Sequence, residues 1–360
     1  MSNTSKGLSP VFNLSKFDIM RIVKEDVNQL KVAYVKPQNV ESAKTTGILK
    51  VMPANKWMQL AKDQAIPKML FDELWHEGEI NFMYADSNLG KSILAVQIAD
   101  SISRGIAISG FKLEAEAQPV IYFDFELSVK QFENRYSIDY THPYTFSDNF
   151  LRAELDPDAE VPDGFKGFED YLIHCIEQTI KERGVKVLII DNITFLGTDH
   201  EKAKETLPLM KQLKRLKEQY GLSILILAHT PKRDSSRPLT LNDIHGSKML
   251  ANFIDSAFAI GKSHMDEGLR YIKQIKERQK GKAYGEDNVC VCRIAKPENF
   301  VQFEFVGYGQ EWQHLKPPSE DDRAARSAEV KKLSQQGMTQ RAIADKLGIG
   351  LGTVNNLLKS

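Results

Sequence analysis

Residues Ala85–Ser92, reading ADSNLGKS, constrain this chain more than any other stretch. The apolar strand pattern EINFMY runs into them and the apolar helix pattern ILAVQIADSIS runs out of them. A cradle for a phosphate chain needs inward-facing backbone amides, a helix N-terminus facing the anion, a lysine for the outer phosphates and a hydroxyl for magnesium. Gly90, Lys91 and Ser92 supply the last part of that set; Asp86, Ser87, Asn88 and Leu89 form the loop, and Ile93 continues into the helix. Where such loops usually open with glycine this chain has Ala85, whose Cβ is tolerated if the local dihedrals are ordinary. The expectation is a site for ATP and Mg2+. The alternative, a chance GKS in a surface turn, leaves the flanking strand and helix unexplained.

The surrounding pattern extends this strand–loop–helix unit into a sheet. Short apolar runs at Ile80–Ala85, Val120–Phe125, Val185–Ile190 and Leu222–Leu227 read as buried strands. Leu207, Met210, Leu213 and Leu216 recur every three residues in a charged stretch, as on an amphipathic crossover helix. Together they predict an α/β core with a mostly parallel central sheet, covered on both faces. Tyr271–Ile275, Val289–Ile294 and Phe300–Val306 predict later, antiparallel strands of the same sheet. Residues 1–69 read as an N-terminal arm or cap, with a strand at Leu30–Val35 and a helix from Ala54 to Ala65 carrying Trp57, Leu60 and Ala61. The ATPase core is expected at 70–314, a linker at 315–322 (LKPPSEDD), and a small all-α module at 323–360.

Composition narrows the function classes. The 360 residues carry 48 basic and 48 acidic side chains, so no global positive field draws the chain onto nucleic acid and any basic surface is local. Cys175, Cys290 and Cys292 have neither a CxxC spacing nor a histidine cluster, which argues against a disulfide framework or structural zinc. Strand alternation puts Cys290 and Cys292 on one face as packed thiols. No basic leader with an apolar core and no run of eighteen apolar residues is present, so a cytoplasmic protein without a membrane partner is expected.

Acidic and polar residues at strand ends complete the candidate site. Asp191 ends the run KVLIID, at the sheet edge where phosphates and magnesium would lie; its expected role is to hold magnesium through water. Asp124 and Glu126 follow the run VIYF; two apart in an extended segment, they would face the same side. Glu126 is the candidate general base for the attacking water, and Asp124 either assists through water or is part of a solvated strand end. His229 ends LSILILAH and is a candidate sensor of the outer phosphate; the alternative is a satisfied strand-end histidine.

With these edges side by side, the chain resembles RecA-like P-loop ATPases, the group that includes the RepA hexameric plasmid helicase and the helicase domain of DnaB. The resemblance spans about residues 70–280 and rests on the phosphate loop, the strand leading to Glu126, the Walker B strand ending at Asp191, the strand ending at His229, and Lys276 with Arg278. The position of Glu126, one strand away in sequence from Asp191, resembles this group and not the AAA+ or kinase arrangements. The resemblance implies a homo-oligomer, with a hexamer favoured, and implies that Lys276 and Arg278 complete a neighbouring subunit's site. It also implies that the segment after His229 approaches nucleic acid, with Lys232, Arg233, Arg237 and Lys248 near phosphates and a turn at His245, Gly246 and Ser247. The alternative for the basic run Lys273, Lys276, Arg278, Lys280 and Lys282 is a solvated hairpin.

The C-terminal stretch RSAEVKKLSQQGMTQRAIADKLGIGLGTVNNLL has its own periodicity. Val330 and Leu333 mark a first helix broken by Gly337; Thr339 caps a second with Ile343, Ala344 and Leu347 inward. Gly348 turns the chain, and Thr353 is expected to start a third helix carrying Val354, Leu357 and Leu358. This spacing resembles a helix-turn-helix of the resolvase or sigma-factor type, with Thr353, Asn355, Asn356 and Lys359 facing a DNA groove. Residues 321–360 hold seven Lys or Arg against four Asp or Glu, a local surplus that fits phosphate contact. The leading expectation is an ATP-dependent, DNA-acting, helicase-like ATPase of a plasmid or mobile element, with DNA and replication or mobilisation proteins as partners. The alternative is a nucleotide-regulated DNA-binding regulator without helicase activity.

Overall fold

The computed structural model describes residues 44–46, 49–192, 203–230, 233–244, 252–278, 281–317, 320–347 and 349–359. The chain divides into two units, Met1–Ile66 and Pro67–Ser360. Within the first, Lys44–Thr46 pairs antiparallel with Leu49–Val51, and a helix follows at Ala54–Lys62. That helix forms where its spacing predicts, but Trp57 and Leu60 are exposed. The strand expected at Leu30–Val35 lies outside the described residues.

The second unit is built on a nine-stranded sheet of the described residues. In chain order the strands are β1 (Ile80–Ala85), β2 (Val120–Asp124), β3 (Phe150–Ala153), β4 (Val187–Asp191), β5 (Ser223–His229), β6 (Ser256–Lys262), β7 (Leu269–Lys276), β8 (Val289–Ala295) and β9 (Gln302–Gly309). Their order across the sheet is β9-β8-β7-β6-β1-β5-β4-β2-β3. From β6 to β3 all neighbours are parallel. Beyond β6, the strands β7, β8 and β9 continue antiparallel, as their sequence pattern predicts.

Alternation along β1 sends Phe82 and Tyr84 to one face and Met83 and Ala85 to the other, and each face has its own core. The first face is covered by α2 (Phe168–Arg183) through Leu172, Ile176 and Ile180, and by α3 (Ala203–Tyr220) through Met210, Leu213 and Leu216. The second is covered by α1 (Lys91–Arg104) through Leu94, Val96, Ile98 and Ile102. Both faces of β1, β2, β4 and β5 are therefore buried, which is why those strands read as nearly continuous apolar runs. Cys290 and Cys292 are free thiols packed in the second core, and burial pushes the Cys292 thiol up to about 12.

Three C-terminal helices, α4 (Glu320–Gln335), α5 (Gln340–Leu347) and α6 (Leu351–Lys359), enclose a separate small core. Val330, Leu333, Ile343, Ala344, Leu347 and Val354 fill it. Gly337 adopts a left-handed φ of 81° between the first two helices, and Thr339 Oγ1 accepts the Ala342 amide at 3.3 Å as the expected cap. Two boundaries differ from the sequence expectation. α6 begins at Leu351, not Thr353, because Gly350 already accepts the Val354 amide at 3.1 Å. α4 begins at Glu320, inside the expected linker 315–322, since EDD suits a first helical turn. At the linker's other end, Leu315 packs against the sheet core and the Lys316 amide donates to Ser235 O at 3.1 Å. Gly348 lies outside the described residues.

Candidate active site

The carboxyl ends of β1, β5, β4 and β2 lie side by side and carry Ala85, His229, Asp191 and Asp124. Ala85 is the last residue of β1, in register with His229, and its side chain is buried in the α1-side core. It needs no left-handed backbone. The loop's positive φ values fall later, on Asn88 (62°) and Gly90 (94°). Asparagine tolerates that region better than most residues, so the missing glycine is compensated three positions on. Gly90 meets a second constraint, since a Cβ there would lie 2.8 Å from Ile294 Cδ1 and 2.9 Å from the Phe303 ring. Leu89 anchors the loop in the core, Ser87 and Asn88 are exposed, and α1 starts at Lys91 with Ser92 and Ile93 half-buried. The Asp86 carboxylate accepts from the Thr230 hydroxyl, tying the loop to the end of β5.

Lys91 is buried, and its ammonium donates to Ala85 O at 2.9 Å, Asp86 O at 3.2 Å and His229 Nδ1 at 3.1 Å. Those contacts match its three protons. Because an ammonium only donates, Nδ1 of His229 is the acceptor and Nε2 carries the ring proton. Nε2 then donates to Glu126 Oε1 at 3.3 Å, and the Asn192 amide donates to the same oxygen. Lys91, His229, Glu126 and Asn192 thus form one hydrogen-bonded chain across the tops of three strands. The His229 bond, with the Lys91 charge and the Asn192 bond behind it, holds the Glu126 carboxyl below the usual glutamate value despite its burial. Burial draws the Lys91 ammonium down, against the charges of Asp191, Glu126 and Asp86.

Asp191 is fully buried. Burial pushes its carboxyl up to about 6, opposed by hydrogen bonds from Ser92 and Tyr122 and reinforced by the charges of Glu126 and Asp124. The Tyr122 hydroxyl donates to Oδ2 at 2.5 Å. The hydroxyl expected to serve magnesium thus lies near enough to the carboxylate expected to do so through water to oppose the rise. A loop with left-handed turns at Asn88 and Gly90, a helix N-terminus, a buried lysine and this Ser92–Asp191 pair fit a magnesium-bound nucleoside triphosphate.

Several sequence expectations are corrected. Asp124 and Glu126 do not share an extended face: β2 stops at Asp124, whose Oδ1 accepts the amides of Glu126 and Leu127 at 3.2 and 2.9 Å and so turns the chain. Asp124 Oδ2 is bound by Arg152 Nε at 2.9 Å, so its carboxylate is internal and neither solvated nor directed at a reacting water. Lys276 and Arg278, expected to serve a neighbouring subunit's site, lie away from this subunit's own cleft, and a single chain does not test that expectation. β7 runs antiparallel, which puts its end at the opposite edge of the sheet, where Lys276 Nζ donates to Ile254 O at 2.7 Å and Arg278 binds Asp255 and Asn252. Lys273 is not solvated but is buried in an ion pair with Glu311 at 2.5 Å. Arg233 is turned inward, donating to Arg237 O at 2.6 Å. Lys232, His245, Gly246, Ser247, Lys248 and Lys280 lie outside the described residues. Sequence reasoning missed Asn192 and Tyr122; adjacency to Asp191 is a signal for the first, and nothing local marks the second.

A family model described as an AAA domain matches residues 49–235, half of the chain. The chain belongs to the AAA domain family. The matched stretch of the AAA domain includes the phosphate loop, Glu126, Asp191 and His229. An ATP-binding, ATPase-type module is therefore present. No curated protein matches the chain. Among the described residues, no helix is long and apolar enough to cross a membrane.

Proposed function

We propose that this AAA-domain protein hydrolyses ATP at the carboxyl edge of its sheet and uses the nucleotide cycle to act on DNA. The observation that carries the reading is the convergence of Lys91, Ser92, Asp191, His229, Glu126 and Asn192 on one edge, from four separate segments. ATP supplies the γ-phosphoryl group that water attacks, and Mg2+ offsets its charge. On the protein side, Lys91 gives up its bonds to the loop carbonyls and serves as the cation for the outer phosphates. Ser92 and Asp191 would hold the metal, which would offset charge on the phosphates. Glu126 accepts the proton of the attacking water, with His229 and Asn192 fixing its orientation. When Lys91 turns away, Glu126 loses one of the charges that keep it a weak base, so nucleotide capture and base strength are linked.

The DNA-acting part of the reading rests on the C-terminal helices. Thr353, Asn355, Asn356 and Lys359 are exposed along α6 while Val354 anchors it, the division of labour that a recognition helix needs. In the leading reading the protein is a homo-oligomeric, helicase-like motor of a plasmid or mobile element, hexameric by its resemblance. A contribution of Arg278 to a neighbouring subunit would require it to leave Asp255. The second reading, a nucleotide-controlled DNA-binding switch, is favoured by Lys91 having all three donors engaged within its own loop and with His229, which suits slow turnover.

ATP turnover measured alone, with single-stranded DNA and with duplex DNA separates the two. Strong stimulation by single strands with strand displacement selects the motor, and slow, unstimulated turnover with tight duplex binding selects the switch. Glu126→Gln should keep nucleotide binding and lose turnover by about 100-fold or more. Normal turnover in that variant removes Glu126 as the base.

A further inference from the structure

The opposite edge of the sheet carries a second polar cluster that the nucleotide site does not use. His76, Glu79 and Glu277 each place one potential ligand atom within 4.8 Å of those of the other two. His76 and Glu79 are 8% and 4% exposed, and Glu277 is half-buried. Three segments meet there. His76 ends the short strand Trp75–His76, Glu79 immediately precedes β1, and Glu277 immediately follows β7, with the start of β6 between them.

An independent observation points to a ligand at this place. Nδ1 of His76 is buried and makes no hydrogen bond, although Nε2 lies 3.7 Å from Glu73 Oε2. Asn81 Oδ1, linked to Glu79 through Ser256, is also buried without a partner, while its Nδ2 donates to Leu74 O and to Ser256 Oγ, both at 2.6 Å. The Ser256 hydroxyl in turn donates to Glu79 Oε2 at 2.6 Å. Buried nitrogen and oxygen atoms nearly always have partners, and two orphans beside two carboxylates mark a place where an ion and its water belong.

We propose that His76, Glu79 and Glu277 bind one divalent first-row transition ion of the zinc or manganese class. One imidazole nitrogen and two carboxylates form a mixed N/O set that suits such ions; magnesium and calcium prefer oxygen alone. The Glu73 carboxylate, 3.7 Å from Nε2, favours a proton on that nitrogen and leaves the partnerless Nδ1 as the ligand, the outer arrangement found around metal-bound histidines. Ligand atoms around tetrahedral zinc lie roughly 3.3 Å apart, given bond lengths of about 2.0 Å. The three ligand atoms, within 4.8 Å of one another, therefore close in by up to about 1.5 Å on binding, and a water completes the shell. The ion ties the turn before the phosphate-loop strand to the end of β7. It is a structural staple remote from the ATP site, and it does not rest on the function proposed above.

The test is a titration of chelator-treated full-length protein with Zn2+ against a chromophoric competitor, with Co2+ absorption reporting the ligand set. One equivalent should bind and raise the thermal midpoint, and it should persist in Asp191→Asn, which disables metal binding at the nucleotide site. His76→Gln and Glu277→Gln should each weaken it at least tenfold and abolish the Co2+ spectrum. Glu277→Gln is the decisive variant, because an isosteric change at a half-buried side chain leaves the fold in place. Absence of a Zn2+ equivalent in folded wild type, or unchanged affinity in Glu277→Gln, overturns the proposal.

Discussion

Removing the charge of Asp191 should stabilise the nucleotide-free protein while ending its activity. Its carboxyl rises from 3.8 to about 6 on folding, chiefly through burial. Between those values the native state holds a proton that the unfolded chain has released, so stability falls as pH climbs through this window and the full cost is present above it. About two pH units at roughly 1.4 kcal/mol each put that cost near 3 kcal/mol at pH 8. Asp191→Asn keeps the shape, still accepts the Tyr122 hydroxyl through its amide oxygen, and never carries the charge. Its nucleotide-free thermal midpoint at pH 8 should exceed wild type by on the order of 5 °C, and the gap should close towards pH 4. Mg2+ with a non-hydrolysable ATP analogue should raise the wild-type midpoint more than the variant's, because the cation offsets a charge that only wild type has. The assay is differential scanning fluorimetry across pH with and without that ligand. A midpoint at pH 8 equal to or below wild type, or an increment independent of pH, refutes the reasoning.

Lys91→Ala should lose about 100-fold or more in ATP affinity by equilibrium binding, since it removes the charged donor of the cradle; retained micromolar affinity would exclude this site. Arg152→Ala strands the Asp124 carboxylate, which is fully buried, and should cost about 3–5 kcal/mol in denaturant unfolding, with much of it recovered in the double variant with Asp124→Asn. If the double variant is no more stable than the single one, Asp124 is not held by charge. Deleting residues 323–360 should weaken duplex binding by about tenfold or more and flatten its salt dependence while leaving basal hydrolysis unchanged; equal duplex affinity would reject a DNA-reading role for the C-terminal helices.

Strands β1, β2, β4 and β5 were legible because each is buried on both faces and so appears as an uninterrupted apolar run, whereas the half-buried edge strand β3 was not. β6 was not, since its Ser256, Ala257, Ala259 and Gly261 look like a loop. The small residues have a packing reason, for a Cβ on Gly261 would lie 2.1 Å from the Tyr271 ring across the strand pair. The phosphate loop, Asp191, His229 and Glu126 were legible from strand ends alone, because parallel strands deliver their ends to a common edge. β7 is antiparallel, as its place in the pattern predicts, so its end carries Lys276 and Arg278 to the far edge. Asn192 and Tyr122 enter through contacts between strands distant in sequence, and local pattern does not encode those contacts.

Lys91 has a consequence for how such a protein rests between cycles. Its side chain already sits among the oxygens of Ala85 and Asp86, so the loop is propped open from within and needs no guest to keep its outline. An arriving triphosphate replaces that prop, and binding strength reflects the difference between two sets of bonds to a single ammonium. Occupancy should therefore respond to anything that loosens the resting set. The Thr230 tether on Asp86 and the Ile294–Phe303 wall against Gly90 are the two places where such loosening would begin.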